Sequence, residues 1–586
     1  MVHWHVALDD PHGHHFRVSL KLPRPDAQQA FSLPVWIQGS YLVRDFSRHL
    51  GPLQARQGGQ VRAVLQTGKN SWQVDCKGKA ALTLSYRVYA FDASVRGAFL
   101  DARRGLFNGS SLFLQVHGRR AQAHRLTLGR LPAGWQVATA MPPAAAGRGY
   151  ECADYDELLD HPVALGHFWR GRFEAGGAPH ELVISGAWPR VDSERLLADT
   201  QRVCAAQQAF WPDARAPFAR YSFLLHCAEN GAGGLEHRAS CALLAPRSEL
   251  PVLGQSGSSD GYVNLLSLIS HEYFHAWNVK RLKPAELASP DHGRENPTRL
   301  LWFFEGFTAY YDELMLRRCG LIDAPTYLRL LARSINAVAA TPGRLQHSLE
   351  AASFEAWTKF YRPDENSANA TVSYYGKGAL VALALDLSLR RRGHSLDQLM
   401  AWLWQHCVAA QPGGGAMVLD DLALGLRALA GKRTGAALQQ QLLAWVQGTD
   451  ELPLAELLAG VGLLLQAEPA TLAASLGLRL SEGPLTGVQV RAVLAGGPAQ
   501  RAGVSAGDEL LALDGWRIRR IDEAQAWLRP GQPFELLLVR DQRVQRLLLH
   551  PEPASVPGSS PGKLRLSLQD GALPAVRARR QAWLDG

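Results

Sequence analysis

Residues 271–284 read HEYFHAWNVKRLKP, and YVNLLSLIS at 262–270 leads into them with apolar side chains at helical spacing. On such a helix His271 and His275 project from one face a turn apart, so their imidazoles can grip a single Zn²⁺. Glu272 is displaced around the helix, beside the open coordination position, where a carboxylate takes a proton from metal-bound water. A catalytic zinc needs a third protein ligand as well as that open position. The best candidate is Glu305 in LWFFEGFTAYYDEL, which reads as the start of a second helix with a buried aromatic face. The 29 residues between His275 and Glu305 include Pro284, Pro290, Gly293 and Pro297, and so form a connecting loop. Asp312, one face-repeat beyond Glu305, is a candidate for orienting a ligand histidine. Lys280, Arg281 and Lys283 read as a solvated turn suited to the negative end of the helix dipole.

Outward from this segment the helical period holds from about residue 190 to about 465. SERLLADTQRVCAAQQAFW from Ser193 and PTYLRLLARSINAVAA from Pro325 both carry it. Gly393–His394 ends one helix, and Ser395 with Gln398 three residues on opens the next with a capping box. The first 170 or so residues read instead as strands. HWHVAL and HFRVSLKL flank the turn-like DDPHGH, and ALTLSYRVYAF and LTLGRL follow. A third pattern starts near residue 470: short strands, the helix-like GPAQRAG, a helix from Ile521 to Leu528, then FELLLVR and RVQRLLLH. PEPASVPGSSPG reads as a linker. The expected organisation is a β-rich domain at 1–175, a catalytic domain at 176–465, a small domain at 466–552 and a linker with basic tail at 553–586.

Composition narrows the classes. Hydrophobic residues make up 47% and charged residues 20% of the 586, enough for sizeable cores. No apolar run reaches the roughly 18–20 residues of a membrane span. MVHWHVALDDPHGHH lacks a basic start followed by an apolar core, so neither a secretory signal nor a membrane partner is expected. The excess of 62 basic over 53 acidic residues is spread along the chain. Its densest cluster, Arg577, Arg579 and Arg580, lacks interleaved aromatics, which points to a solvated tail and not to nucleic acid. Seven cysteines with no CxxC pair fit free thiols in a reducing, cytoplasmic setting.

Further motifs occur in a recognisable order: PVWIQGSYLVRDF from Pro34, LFNGSSLFL from Leu106, GGLEH from Gly233, HEYFHAWNVKRLKP, WFFEGFTAYY, and SYYGKGAL from Ser373. With these, nearly the whole chain resembles the glycyl aminopeptidase family of gluzincin zinc metallopeptidases that carry a C-terminal PDZ domain. Gln38 stands where that family's N-terminal signature has a proline. The resemblance implies a multidomain α+β fold: an N-terminal β domain, a thermolysin-like catalytic domain with a helical part, and a PDZ domain. It implies one Zn²⁺ per chain, held by His271, His275 and Glu305, with Glu272 as general base. It also implies that Glu236 binds the free α-ammonium of a peptide substrate, with Gly233 and Gly234 letting backbone approach it. The bland reading of Glu236 is a surface acid at a strand end. Tyr375 matches the family's oxyanion donor, with Tyr374 one residue away and a core tyrosine as the alternative for either. The implied activity is removal of glycine or alanine from peptides with a free N-terminus.

In SLGLRL, Leu476, Gly477 and Leu478 resemble a PDZ carboxylate-binding loop for a C-terminal peptide ligand. A purely architectural PDZ domain reads equally well. Two other functions stay open: an endopeptidase of the same fold served by its PDZ domain, and a catalytically silent peptide-binding protein.

Overall fold

The alternating segments at the start of the chain pair as their pattern requires. Val2–Asp10 and His15–Leu22 form an antiparallel hairpin with Trp4 opposite Leu20 and Val6 opposite Val18. All four side chains are buried, so the apolar side of the period-two pattern faces the core. Leu82–Tyr89 adds antiparallel to the second strand, and His124–Leu128 adds parallel to the first. The result is a seven-stranded sheet whose inward residues join one cluster with Phe31, Phe107, Phe113 and Tyr155.

A computed structural model describes residues 1–410, 415–551 and 562–586, in two compact units. The first unit holds Met1–Asn296, Cys319–Leu321 and Leu403–Met417, and the second holds Pro297–Arg318, Ile322–Trp402 and Val418–Gly586. The units therefore cut across the 176–465 stretch instead of following its ends.

The first unit also contains a five-stranded sheet, ordered Trp169–Ala175, Ala178–Ser185, Tyr221–Ala228, Ser240–Pro246, Gly233–Glu236. Its three middle strands are parallel, and the two outer ones run antiparallel to them. GGLEH thus supplies an edge strand. The helix Ser193–Phe210 is capped by Asp192, which accepts from the Arg195 N–H at 3.1 Å.

In the second unit the helices Leu301–Arg318 and Gly376–Arg390 pack closely because Gly306 meets Gly378. A Cβ on either would overlap the other's backbone. This is why each motif, Glu-Gly-Phe and Gly-Lys-Gly, keeps a glycine in mid-helix at its propensity cost. The capping box forms as read: Gln398 N–H donates to Ser395 Oγ at 3.3 Å, and Ser395 N–H donates to Gln398 Oε1 at 3.1 Å. Asp386, set in an apolar helix, is fully buried. It accepts from Tyr310 Oη at 2.6 Å, Arg390 Nε at 2.9 Å and Leu396 N at 2.8 Å.

The small C-terminal sheet runs Leu478–Gly483, Gly487–Val493, Glu509–Leu513, Phe534–Arg540, Arg543–Leu549. GPAQRAG supplies the short helix Pro498–Ala502 as expected. The helix expected over Ile521–Leu528 is a 3₁₀ turn over Ile521–Ala526. Pro530 disfavours helical backbone at Arg529, which stops it from extending.

The expected linker falls largely on 552–561, outside the described residues. The segment beyond it corrects the expectation of a solvated tail. Leu564–Leu568 pairs antiparallel with Leu463–Ala467, and Pro574–Asp585 is a helix whose Trp583 is fully buried. Trp583 Nε1 donates to Tyr310 Oη at 2.9 Å, extending the Asp386 network. Arg579 and Arg580 donate to the Gly460 and Gly462 carbonyls just past the helix Leu454–Ala459. Such cations satisfy carbonyls that a helix end leaves free.

Replacing Trp583 by alanine should cost about 3–5 kcal/mol of stability, a buried aromatic's usual cavity penalty. Denaturant unfolding at constant m-value reads it. A loss under about 1 kcal/mol would show the last helix to be dispensable.

Candidate functional site

The helix Asp260–Phe274 begins at Ser259, whose Oγ accepts from the Tyr262 N–H at 3.1 Å, and it buries Val263, Leu265, Leu266, Ile269 and Tyr273. That anchored stripe fixes the opposite face. The His271 and His275 rings stand 4.6 Å apart at 88°, with their Nε2 atoms 3.1 Å from each other. Two nitrogens at about 2.0–2.1 Å from one tetrahedral ion would stand roughly 3.3 Å apart, so the pair fits two corners of a zinc site. His275 Nδ1 lies 2.8 Å from the Asn278 carbonyl oxygen. A carbonyl only accepts, so Nδ1 carries the proton and Nε2 offers its lone pair. Asn278 thus sets the tautomer of a candidate ligand.

Glu272 is buried, and Gly234 of the edge strand lies against its carboxylate so closely that a Cβ there would overlap it. Gly233 opens the same strand, opposite Leu244. Two residues beyond Gly234, Glu236 is 5% exposed and ends the strand. Its carboxylate rests against Gly39 of the PVWIQGSYLVRDF segment, at φ +87°, where again a Cβ would overlap. It is no surface acid.

The turn after the helix Asp260–Phe274 departs from expectation. Lys280 is not solvated but 5% exposed, because its N–H bonds back to the His275 carbonyl and the chain folds inward. Its Nζ lies 3.5 Å from Asp160 Oδ1 and 3.7 Å from Glu236 Oε1. Asp160 also meets His237 Nδ1 at 3.3 Å and the Arg238 N–H at 2.8 Å. Burial alone would raise the Asp160 carboxyl, yet the Lys280 ammonium and His237 hold it well below the usual carboxylate range. Burial lowers His237 against the opposing pull of Asp160. Arg281 gives its guanidinium to the Arg238, Ala276 and Pro217 carbonyls. Lys283 is depressed to about 8, by burial first and then by Arg238 and Lys280.

A cavity of about 790 Å³ in this unit is walled by Trp36, Gln38, Gly39, Asp160, Glu236 and Lys280, among others. Arg44 bonds Ser40 at 2.7 Å and Asp45 pairs with Lys69 at 2.6 Å, so both have partners within the β domain.

The second unit carries the remaining candidates. Glu305 is 2% exposed in the first turns of its helix, and Asp312 is buried farther along. Tyr374 is fully buried and Tyr375 half-buried; Phe360 meets the first tilted at 4.7 Å and the second stacked at 5.5 Å between centroids. Accessibility favours Tyr375 as the donor to a ligand. In the C-terminal sheet, Leu476 and Leu478 are core residues and not loop walls. Gly477, at φ +73°, donates to the Ala474 carbonyl at 3.1 Å and accepts from the Leu494 N–H at 2.7 Å. The backbone N–H assigned to a C-terminal carboxylate is therefore already used within the turn.

Residues that sequence reasoning missed are Lys280, Asp160 and Gly39. For Gly39 the motif around it was a signal. For Asp160 there was none.

Known families match three stretches: the Peptidase M61 N-terminal domain at residues 3–167, M61 glycyl aminopeptidase at 264–381, and a PDZ domain at 489–540. No curated protein matches the chain. Among solved structures, an aminopeptidase N family protein from Idiomarina loihiensis is 34% identical over 100% of both chains, with a TM-score of 0.92. An M1 zinc metallopeptidase from Deinococcus radiodurans is 16% identical over 77% of this chain and 94% of its own, with a TM-score of 0.48.

Gly234→Ala should push the Glu272 carboxylate aside and cost about 1–3 kcal/mol, as overpacking does. A crystal structure of the variant with Glu272 unmoved, together with an unchanged unfolding midpoint, would refute the close approach.

Proposed function

Since the chain belongs to the M61 glycyl aminopeptidase family and is a peptidase, we propose that it removes small N-terminal residues, glycine and alanine, from peptides with a free amino end. One zinc ion per chain would be held by His271, His275 and Glu305, the ligand set that membership of the family implies and whose nitrogen and carboxylate donors suit zinc. Bound there, zinc would lower the pKa of a coordinated water towards about 7 and polarise the scissile carbonyl.

The chain's own residues do the rest. Glu272, buried and steadied by contact with Gly234, accepts the proton of the attacking water and returns it to the leaving amine. Tyr375 donates to the oxyanion. Glu236 holds the substrate α-ammonium by a charge-assisted hydrogen bond.

The observation that carries this reading is a spacing. Gly234 touches the base, and Glu236 stands two residues farther along the same strand. Side chains at i and i+2 share a face roughly 6.8 Å apart. An ammonium fixed at one end of that interval leaves room for about one residue before the base, so the first peptide bond is the one presented. Glu236 is suited to the task because its charged partner, Lys280, stands at 3.7 Å, an ion-pair rather than a hydrogen-bond distance.

For the PDZ domain an architectural role is the better supported. Asn369 of the helical part donates to the Val493 carbonyl at 2.9 Å and accepts from the Ala495 N–H at 2.8 Å. Arg479, on the sheet's outer strand, donates to the Ala340 carbonyl at 2.9 Å. A C-terminal peptide ligand at Leu476–Leu478 has less in its favour. No described helix is long and apolar enough to cross a membrane. The cytoplasmic placement rests on seven free cysteines.

The test is hydrolysis of glycyl and alanyl anilides beside their N-acetylated forms and a leucyl analogue, each with and without a zinc chelator. Chelator-sensitive cleavage confined to free, small substrates is expected. Cleavage that ignores acetylation would mean an endopeptidase, and none at all with zinc bound would mean a silent binder. Glu272→Gln should keep its zinc and lose about 10²–10⁴ in kcat. Near-normal turnover would remove the general-base role. Glu236→Ala should lose the preference for free over acetylated substrates.

A further inference from the structure

We infer that Lys280 is a positioning residue for substrate recognition: shared between Asp160 and Glu236, it holds the Glu236 carboxylate in place and oriented for the incoming α-ammonium. This rests on the reading of Glu236 as the ammonium's partner.

The geometry begins with a cost. A carboxylate that is 5% exposed has lost most of its hydration, and an ion so placed either finds a counter-charge or becomes neutral. Glu236 finds Lys280, itself 5% exposed, at 3.7 Å. A lysine that bonded Glu236 alone would cancel its charge and fill the place an ammonium must take. Lys280 is kept from doing so by Asp160, which lies slightly nearer, at 3.5 Å. Asp160 is in turn fixed by the Arg238 N–H at 2.8 Å and by His237 Nδ1 at 3.3 Å.

The cluster thus sets two carboxyl groups around one lysine, and an arriving ammonium adds a second cationic partner for them. Without Lys280 the two acids would face each other uncompensated. Asp160 keeps two donors, so Glu236 is the one that gives way, by turning out of the site. That response weakens recognition of the free amine without touching the groups that break the bond.

The site's surroundings agree. Asp160, Glu236 and Lys280 all line the 790 Å³ cavity, so the cluster borders open space and not a sealed core. Lys280 is carried by the tight turn that follows His275, and its place depends on a backbone bond to the His275 carbonyl at 3.0 Å. The segment that orients a metal-ligand candidate thus also delivers the lysine.

The experiment is steady-state kinetics of the full chain, zinc-loaded, on glycyl anilide and its acetylated form. Lys280→Met should raise KM for the free amine about tenfold or more, the worth of a weakened hydrogen bond to a charged group, while kcat changes less than about threefold. Lys280→Arg, which keeps the charge, should return KM to within about threefold. The same Lys280→Met change in a Glu236→Ala background should leave KM where Glu236→Ala alone puts it, since a shared task makes the two non-additive.

Zinc content and the unfolding midpoint check that each variant folds, and Lys280→Gln replaces the methionine variant if that one does not. An unchanged KM in a folded Lys280→Met or Lys280→Gln protein overturns the inference. So does an equal KM rise in the Glu236→Ala background, which would mark a structural role. If Glu236→Ala itself leaves KM and the acetyl discrimination unchanged, the reading of Glu236 fails instead, and the inference falls with it.

Discussion

Taking a carboxylate out of water costs several kcal/mol unless charge or hydrogen-bond donors replace what the water supplied. The first unit is organised around that constraint. It buries Glu272, Glu236 and most of Asp160 in a small region, together with one lysine and one histidine. The two acids with roles in the proposed chemistry are each steadied by a glycine: Gly234 lies against Glu272, and Gly39 against Glu236. A side chain at either place would push the carboxylate out of position. The acid with a structural role, Asp160, receives three donors.

How much was legible in the sequence depends on how local the information was. The two candidate ligand histidines and Glu272 sit within a few residues, and their helical spacing is carried by the apolar stripe before them. The capping box at Ser395 and Gln398 is likewise a matter of three residues, and it formed as read. The cluster around Lys280 was not legible, because its members come from positions 160, 236–238 and 280. Lysine and arginine after a helix normally mark a solvated end, and that expectation failed because the turn folds Lys280 inward. The pairing of Glu236 with a glycine at position 39 is of the same kind. A motif showed that each mattered, and only the fold shows that they touch.

The misread C-terminus makes the same point from the other side. Three arginines in a short segment suggested solvent, but Val576 and Trp583 stand seven residues apart and so share a helix face, with Leu584 beside them. Arg579 and Arg580 are there to cap carbonyls at Gly460 and Gly462. Trp583 then adds its indole N–H to a hydroxyl, Tyr310, which has already given its own proton to Asp386. Asp386 thereby gains a network that reaches the chain's last turn, although its nearest sequence neighbours are leucines. A buried acid that interrupts an apolar helix is the point at which separate segments are tied.

The turn from Ala276 to Leu282 combines two ways of using a buried polar group. Its first half satisfies: the Asn278 carbonyl takes the His275 Nδ1–H and so fixes which nitrogen of that ring is free to bind. Its second half shares: the Lys280 ammonium divides itself between two carboxylates at 3.5 and 3.7 Å and satisfies neither fully. The Lys280 N–H closes back on the His275 carbonyl and makes the two halves a single rigid object. One short turn therefore sets both a lone pair and a charge. Neither could be shifted alone, because the bond that places the lysine is made to the residue whose ring the asparagine orients. In the proposed chemistry, the orientation of a ligand and the recognition of a substrate's charge would both follow from one folded-back turn.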